Sequence, residues 1–541
     1  MSDRAALRWG IVIVVAWAIA AALSAHPEVA GLRHDDGIYL STAKSLAEGR
    51  GYRLIHLPGE PAQTKYPPLF PMLLAPVWIA APEWPANVYW FKLVGITTMA
   101  VALLLFQRVA RRVVGLSALG SLAALLICAA SPLLLGSASW VLSEPLFAAC
   151  VAGALLATGR AASSTPASRA AILAGALAGA ATLVRLQGVV LVAAIPAALL
   201  LEGRRRDAGR ALVAGAAPVA AWWGWCALQP PPASPLLSYY VTYSSFVSPW
   251  GYGRGPGSLL AVIGYRWLDL PVELGNLLLG GGPLDRWIGF GFLAALGAGC
   301  AVAGHRGRWA APLTAAAAVG LTLVVPWSHP RFLLPWMALL VALAALPFDL
   351  GSPPARRIGG ALALCLAVAG GVHEAQAVLA ADPTSLPEAD GRPTGRGEWS
   401  GWLETARWLR ENTPQGAIVA SNHDPFYYLF GERRGIRFQP FRPPTGETAP
   451  PAPDPRWVLS QMRRLGVGWM VLDPGGVELD RAGVSALALG RAIVGLPEAR
   501  ANRLFASADG AHEVWRLGAA RAPDSPAETP GVSMGGRGGA R

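Results

Sequence analysis

The sequence predicts a polytopic α-helical membrane protein that ends in a small α/β domain, and three observations carry that prediction. Of its 541 residues, 53% are hydrophobic and only 14% charged, against about 25% charged in an ordinary soluble domain. Apolar runs recur along the first 380 residues, each near the length of about 20 residues that a bilayer-crossing helix needs. Clusters of arginine fall in alternate gaps between those runs, the pattern of cytoplasmic loops.

The expected spans lie near 9–25, 88–106, 116–135, 145–159, 170–184, 186–201, 211–228, 287–304, 309–327, 333–348 and 358–376, eleven in all. Arg4 and Arg8 precede the first, and Arg108, Arg111 and Arg112 follow the second. Arg160 and Arg169, then Arg204, Arg205 and Arg206, then Arg306 and Arg308, then Arg356 and Arg357 continue the alternation. An N-terminus in the cytoplasm satisfies every cluster, and an odd number of crossings puts the C-terminus outside. The expected location is therefore the inner (cytoplasmic) membrane, with an extracytoplasmic C-terminal domain. Ala22-Leu23-Ser24 resembles a signal-peptide cleavage site, but the apolar stretch before it is long for one. Residues 170–201 form one apolar run broken by Arg185 and Gln187. Basic clusters on both sides call for an even number of crossings, hence two helices turning at Arg185; a single tilted helix is the alternative.

Three stretches are expected to be extramembranous: outer loops 26–87 and 229–286, and the tail 381–518, leaving 1–380 as the membrane domain. Within the first loop, the proline-rich piece 67–82 suits a helix lying along the interface better than a span. The second is rich in Pro, Gly and aromatics, among them Tyr239, Tyr240, Tyr243 and Trp250. The tail alternates helical and extended patterns. Helices are expected at Trp399–Glu411 and Arg456–Leu465, strands at Gly416–Ala420 and Trp469–Leu472, and a hairpin around Asp509-Gly510. Residues 519–541, dominated by Gly, Pro, Ser and Arg, read as disordered.

The net charge of +12 lies largely in the interspan clusters and needs no nucleic acid to explain it. The five cysteines all fall in apolar runs, so neither a disulfide framework nor a metal-binding CxxC exists.

Four polar segments remain. Arg33-His34-Asp35-Asp36-Gly37 sets two carboxylates beside the first span. They are either functional or helix caps for a helix over 37–48. Thr64-Lys65-Tyr66-Pro67-Pro68 holds an ammonium at headgroup level, where it either pairs with a lipid phosphate or snorkels. Ser143-Glu144-Pro145 opens the fourth span with an acid that suits a helix N-terminus. Ser328-His329-Pro330-Arg331-Phe332 opens the tenth. The orientation above brings all four to the outer face, where cations are otherwise scarce. Acids and cations on one outer cavity suit a transfer in which a lipid phosphate leaves and a hydroxyl attacks. The cations stabilise the leaving phosphate and a carboxylate takes the proton.

These segments, with Leu183-Val184-Arg185-Leu186-Gln187-Gly188, Pro330-Arg331-Phe332-Leu333-Leu334-Pro335 and Trp408-Leu409-Arg410-Glu411-Asn412-Thr413-Pro414, resemble in order and placement the GT-C superfamily of integral-membrane glycosyltransferases. The nearest likeness is to its aminoarabinose-transferase-like and protein-mannosyltransferase-like members. The resemblance implies Asp35 as catalytic base with Asp36 its neighbour, Glu144 as a second acid, and Lys65, Arg331 and Arg185 as donor-phosphate contacts. It implies an inverting transfer from a polyprenyl-phosphate sugar to a glycan, lipid or protein of the envelope. Some relatives carry a metal-binding acid just before the lysine, where this chain has Thr64. No cofactor is expected, and His329 with Glu144 is the one place left for a divalent metal. A transporter or flippase of a lipid-linked sugar is the second reading; it favours internal repeats and midplane charges, and neither occurs in the sequence. A non-catalytic binder of envelope lipids is the third.

Overall fold

The structure, a computed structural model, describes residues 1–33, 35–137, 140–161, 167–241, 256–325, 330–379, 399–439, 453–474 and 486–518. It is a bundle of apolar helices carrying a five-stranded α/β unit at one end. Among the described residues, five helical stretches are long and apolar enough to cross a membrane: Asp3–Ser24, Val88–Val114, Asp285–His305, Pro330–Leu350 and Pro353–His373. Shorter apolar helices fill most of the remaining expected spans, and α10 (Arg205–Ala227) fills 211–228. The chain is a multi-pass membrane protein.

Small residues let the helices approach closely, as packing without a hydrophobic driving force requires. A Cβ on Gly175, in α8 (Ala167–Val184), would lie 2.1 Å from the Ala211 carbonyl oxygen of α10. The run 170–201 is two helices. At Arg185 the chain is extended (φ −145°, ψ 136°), a 3₁₀ turn follows, and α9 (Val189–Leu201) folds back on α8. Gly188 permits the reversal, because a Cβ there would meet the Thr182 backbone at 2.3 Å.

The proline-rich piece 67–82 forms the expected helix, α3 (Leu69–Ala80). It packs beside α2 (Asp35–Ala47), and the Trp78 indole donates to the Leu40 carbonyl at 3.0 Å. The stretch 229–286 departs from the sequence reading, for it contains a 24-residue helix, Pro256–Leu279, packed antiparallel to Asp285–His305. Its periodicity is broken by Pro271, Arg266, Asp269 and Glu273. Arg266 and Glu273 neutralise each other in a two-pronged buried pair, with one contact at 3.0 Å, and so can lie inside the bundle.

In the tail, β1 (Ile418–Ala420) lies between β2 (Arg434–Ile436) and β3 (Val467–Leu472), all parallel; β5 (Glu513–Arg516) and β4 (Asn502–Ala506) extend the sheet antiparallel. The expected helices and hairpin are present. Strand β2 and two helices, Asp424–Gly431 and Ala486–Val494, were not anticipated. The segment expected to be disordered, 519–541, lies outside the described residues.

Candidate active site at the end of the bundle

The acidic pair divides its labour. Gly31, in the left-handed region (φ 84°), turns the chain so that Asp36 faces back into its own loop. There its carboxylate accepts the backbone amides of Gly31 at 2.8 Å, Arg33 at 3.0 Å and Gly37 at 2.8 Å. Complete burial pushes the Asp36 carboxyl above its usual range, and the three amides oppose that shift. Asp36 thus closes the turn that starts α2. Asp35 is turned the other way, its side chain 23% exposed, so of the two it alone is open to a substrate.

Asp35 meets polar groups from two distant segments. Its Oδ2 lies 3.0 Å from Arg331 Nη2, 296 residues away, and its Oδ1 accepts the Tyr66 hydroxyl. Arg331 Nε donates to Glu144 Oε1. The same oxygen is 2.9 Å from Arg185 Nη1, which also donates to Ser143 Oγ at 3.0 Å. The Tyr39 hydroxyl completes the ring at 3.1 Å from Ser143 Oγ. Two carboxylates and two guanidiniums balance. This matters for Glu144, which is fully buried, because an unpaired buried charge costs several kcal/mol. The break in the apolar run at Arg185 therefore has a physical purpose: the extended backbone there lets the guanidinium reach Glu144 at the head of α7 (Glu144–Ala161).

Lys65 approaches from the 26–87 loop and is only 3% exposed. Its ammonium rests 3.5 Å from the centre of the Tyr239 ring and 5.1 Å from that of Tyr66. Burial pushes its pKa down to about 7, against the opposing pull of Asp35. Asp35, Glu144, Arg185 and Arg331 are thus in one contiguous cluster, and the charge of Asp35 acts on Lys65 beside it. Asp36 is directed elsewhere, and His329 lies outside the described residues. Sequence reasoning missed Tyr39, Tyr66, Ser143 and Tyr239. Tyr39 stands four residues after Asp35, hence on the same helix face; Tyr66 and Ser143 adjoin Lys65 and Glu144.

The described residues do not fit a divalent metal. No group of three or more His, Cys, Asp or Glu among them is arranged to hold one. Asp35 and Glu144 already face guanidiniums, and Thr64 turns its hydroxyl to the Val241 carbonyl.

The tail closes over this end of the bundle. His423 and Asp424 are buried at the start of helix Asp424–Gly431. Asp424 Oδ1 accepts the Tyr240 hydroxyl at 2.6 Å, and its Oδ2 lies 3.4 Å from His56 Nε2. His56 Nδ1 in turn is 3.1 Å from Ser41 Oγ of α2. The same helix presses on the acidic loop: a Cβ on Gly37 would come within 2.6 Å of Pro425 Cβ. Trp84 packs edge-on against Phe430, their ring centres 5.0 Å apart.

No family profile and no curated protein matches the sequence. Solved structures do. ArnT of Cupriavidus metallidurans, bound to undecaprenyl phosphate, superposes with a TM-score of 0.57 at 14% identity, over 94% of this chain and 98% of that one. The oligosaccharyltransferase AglB of Archaeoglobus fulgidus, in complex with an inhibitory peptide and a dolichol-phosphate, gives 0.56 at 14% identity, over 86% of this chain and 69% of its own. The chain has the GT-C fold. In ArnT the likeness runs almost end to end, so the GT-C arrangement covers both the helical bundle and the tail that caps it.

Proposed function

We propose that this protein is an inverting glycosyltransferase. In this reading it moves a sugar from a polyprenyl-phosphate donor to an acceptor in the cell envelope, at the outer face of the inner membrane. The observation that carries the reading is the Asp35–Arg331–Glu144–Arg185 cluster: one substrate-accessible carboxylate held among guanidiniums at one end of a GT-C bundle. The lipid phosphates in the ArnT and AglB structures support the donor class.

The acceptor hydroxyl attacks the anomeric carbon as its bond to the phosphate oxygen breaks. The hydroxyl proton passes to Asp35, and the polyprenyl phosphate departs with the bonding electrons. Arg331 fixes the orientation of Asp35 through the 3.0 Å contact, and Glu144 fixes Arg331. Lys65 and the two arginines stabilise the charge developing on the phosphate. A single displacement needs one base, in contrast to the two-carboxylate relay of retaining hydrolysis.

The test is incubation of purified protein with a panel of polyprenyl-phosphate sugars and detection of released lipid phosphate. Turnover that Asp35→Asn abolishes, with insertion and lipid binding intact, supports the reading. Folded protein that releases nothing from any donor overturns it. Movement of an intact lipid-linked sugar across vesicles, without bond cleavage, would favour a flippase.

A further inference from the structure

Arg437, just past β2 in the tail, is a buried cation for which the proposed chemistry has found no use. It is 5% exposed, and among the described residues no carboxylate forms an ion pair with it. Its Nη2 reaches the Gln439 side-chain oxygen at 3.3 Å, whereas its buried Nε has no hydrogen-bond partner among the described residues. The guanidinium carbon stands 5.3 Å from the centre of the Tyr239 ring, the ring on which Lys65 rests at 3.5 Å. Arg437 and Lys65 repel one another. Two like charges, brought from the membrane domain and from the tail to a single aromatic side chain, are a poor arrangement for an empty protein. It is a good one for a site that receives an anion.

Tyr239 is held for that purpose. Its neighbour Tyr240 donates to Asp424 at 2.6 Å and accepts the backbone amide of Arg437 at 2.9 Å. The short helix Ser238–Val241 is thereby pinned to the tail at the residue next to the ring. The four charges of the Asp35–Arg331–Glu144–Arg185 cluster offset one another, and Lys65 and Arg437 are cations outside that cluster.

We propose that Arg437, Lys65 and Tyr239 form a phosphate clamp across the seam between the tail and the membrane domain, so that the tail itself supplies a ligand to the phosphate of the lipid donor. Arg437 offers a planar fork suited to two phosphate oxygens, Lys65 a point charge, and Tyr239 a wall that holds both. The clamp rests on the polyprenyl-phosphate reading above, and the two fail separately.

The experiment measures binding of undecaprenyl phosphate, inorganic phosphate and undecaprenol to the full-length protein in detergent, by intrinsic tryptophan fluorescence. Arg437→Gln is expected to weaken undecaprenyl phosphate by about tenfold or more, as loss of a charge-assisted contact should. Lys65→Gln should do the same, and Arg437→Lys should restore part of the loss. Undecaprenol should bind equally to all variants. A lipid-headgroup site discriminates strongly between undecaprenyl phosphate and inorganic phosphate; a site for free phosphate binds both with the same dependence on Arg437. Thermal unfolding within a few degrees of wild type certifies each variant. If Arg437→Gln unfolds, the comparison of Arg437→Lys with wild type decides. Unchanged affinity in the Arg437 variants, with loss in Lys65→Gln, overturns the clamp and leaves the donor assignment standing. Indifference to both residues overturns the clamp alone, whereas wild-type protein that binds undecaprenyl phosphate no better than undecaprenol overturns the donor assignment.

Discussion

Two polar assemblies lie at the same end of the molecule and are built on different logic. The ring of Asp35, Arg331, Glu144, Arg185, Ser143 and Tyr39 draws its members from the helical bundle and the 26–87 loop, and its charges cancel. The seam of Ser41, His56, Asp424, Tyr240 and Arg437 joins the bundle to the tail through hydrogen bonds and holds Arg437 with no ion-paired carboxylate among the described residues. In the proposed reaction the first orders the groups that react. The second braces the loop that carries Asp35, because helix Asp424–Gly431 lies directly against Gly37. On that proposal the balanced ring serves the chemistry, and Arg437 beside Lys65 marks where an anion arrives.

The largest effect should come from the ring. Asp35→Asn is expected to lower transfer by about 10²–10⁴-fold, the usual contribution of a general base, while undecaprenyl phosphate still binds. Retention of transfer would remove Asp35 from the reaction. Glu144→Gln should be costly in a different way. It leaves two buried guanidiniums facing one another, and unfolding should become easier by about 3–5 kcal/mol. A thermal melt unchanged from wild type would show that the ring is not held by charge balance.

Breaking the seam should cost less. Asp424→Asn removes a carboxylate that accepts from the Tyr240 hydroxyl and lies 3.4 Å from the His56 imidazole. A loss of about 1–3 kcal/mol is expected, with a fall in turnover larger than the loss of donor affinity. Equal falls in both would mean that the seam acts on binding alone.

The smallest effect is the most diagnostic. Because the Lys65 pKa is lowered to about 7 from 10.5, its ammonium disappears as pH rises through 7, and phosphate affinity should decline by up to about tenfold per unit. Lys65→Arg should be flat over that range, since a guanidinium stays charged. Stability runs the opposite way. The folded chain binds fewer protons than the unfolded one between about 7 and 10.5, so Lys65 favours folding increasingly as pH rises across that window. Parallel pH profiles for binding and stability would contradict this assignment.

The fold was legible because bilayer thickness and the price of bare backbone in lipid leave few solutions. The charged members of the ring were legible because Arg185, Glu144 and Arg331 are anomalies next to apolar runs. The helix Pro256–Leu279 escaped because its charges cancel only in three dimensions, through the Arg266–Glu273 pair. The seam escaped for a related reason. Asp424 and Arg437 sit in the α/β tail, where charges are commonplace, and nothing in their spacing shows that they face Tyr240, 184 and 197 residues earlier. Asp35 and Asp36 are adjacent in sequence, yet only the geometry of Gly31 separates the exposed acid from the capping one.

The contact of Pro425 with Gly37 sets a limit on how far this protein can be shortened. A version trimmed after residue 380 would keep every helix of the bundle but remove the wedge on which the turn at Asp36 is braced. Such a fragment could insert and even take up lipid, yet its acid would wander. The position of the acid at the end of the bundle therefore depends on both halves of the chain.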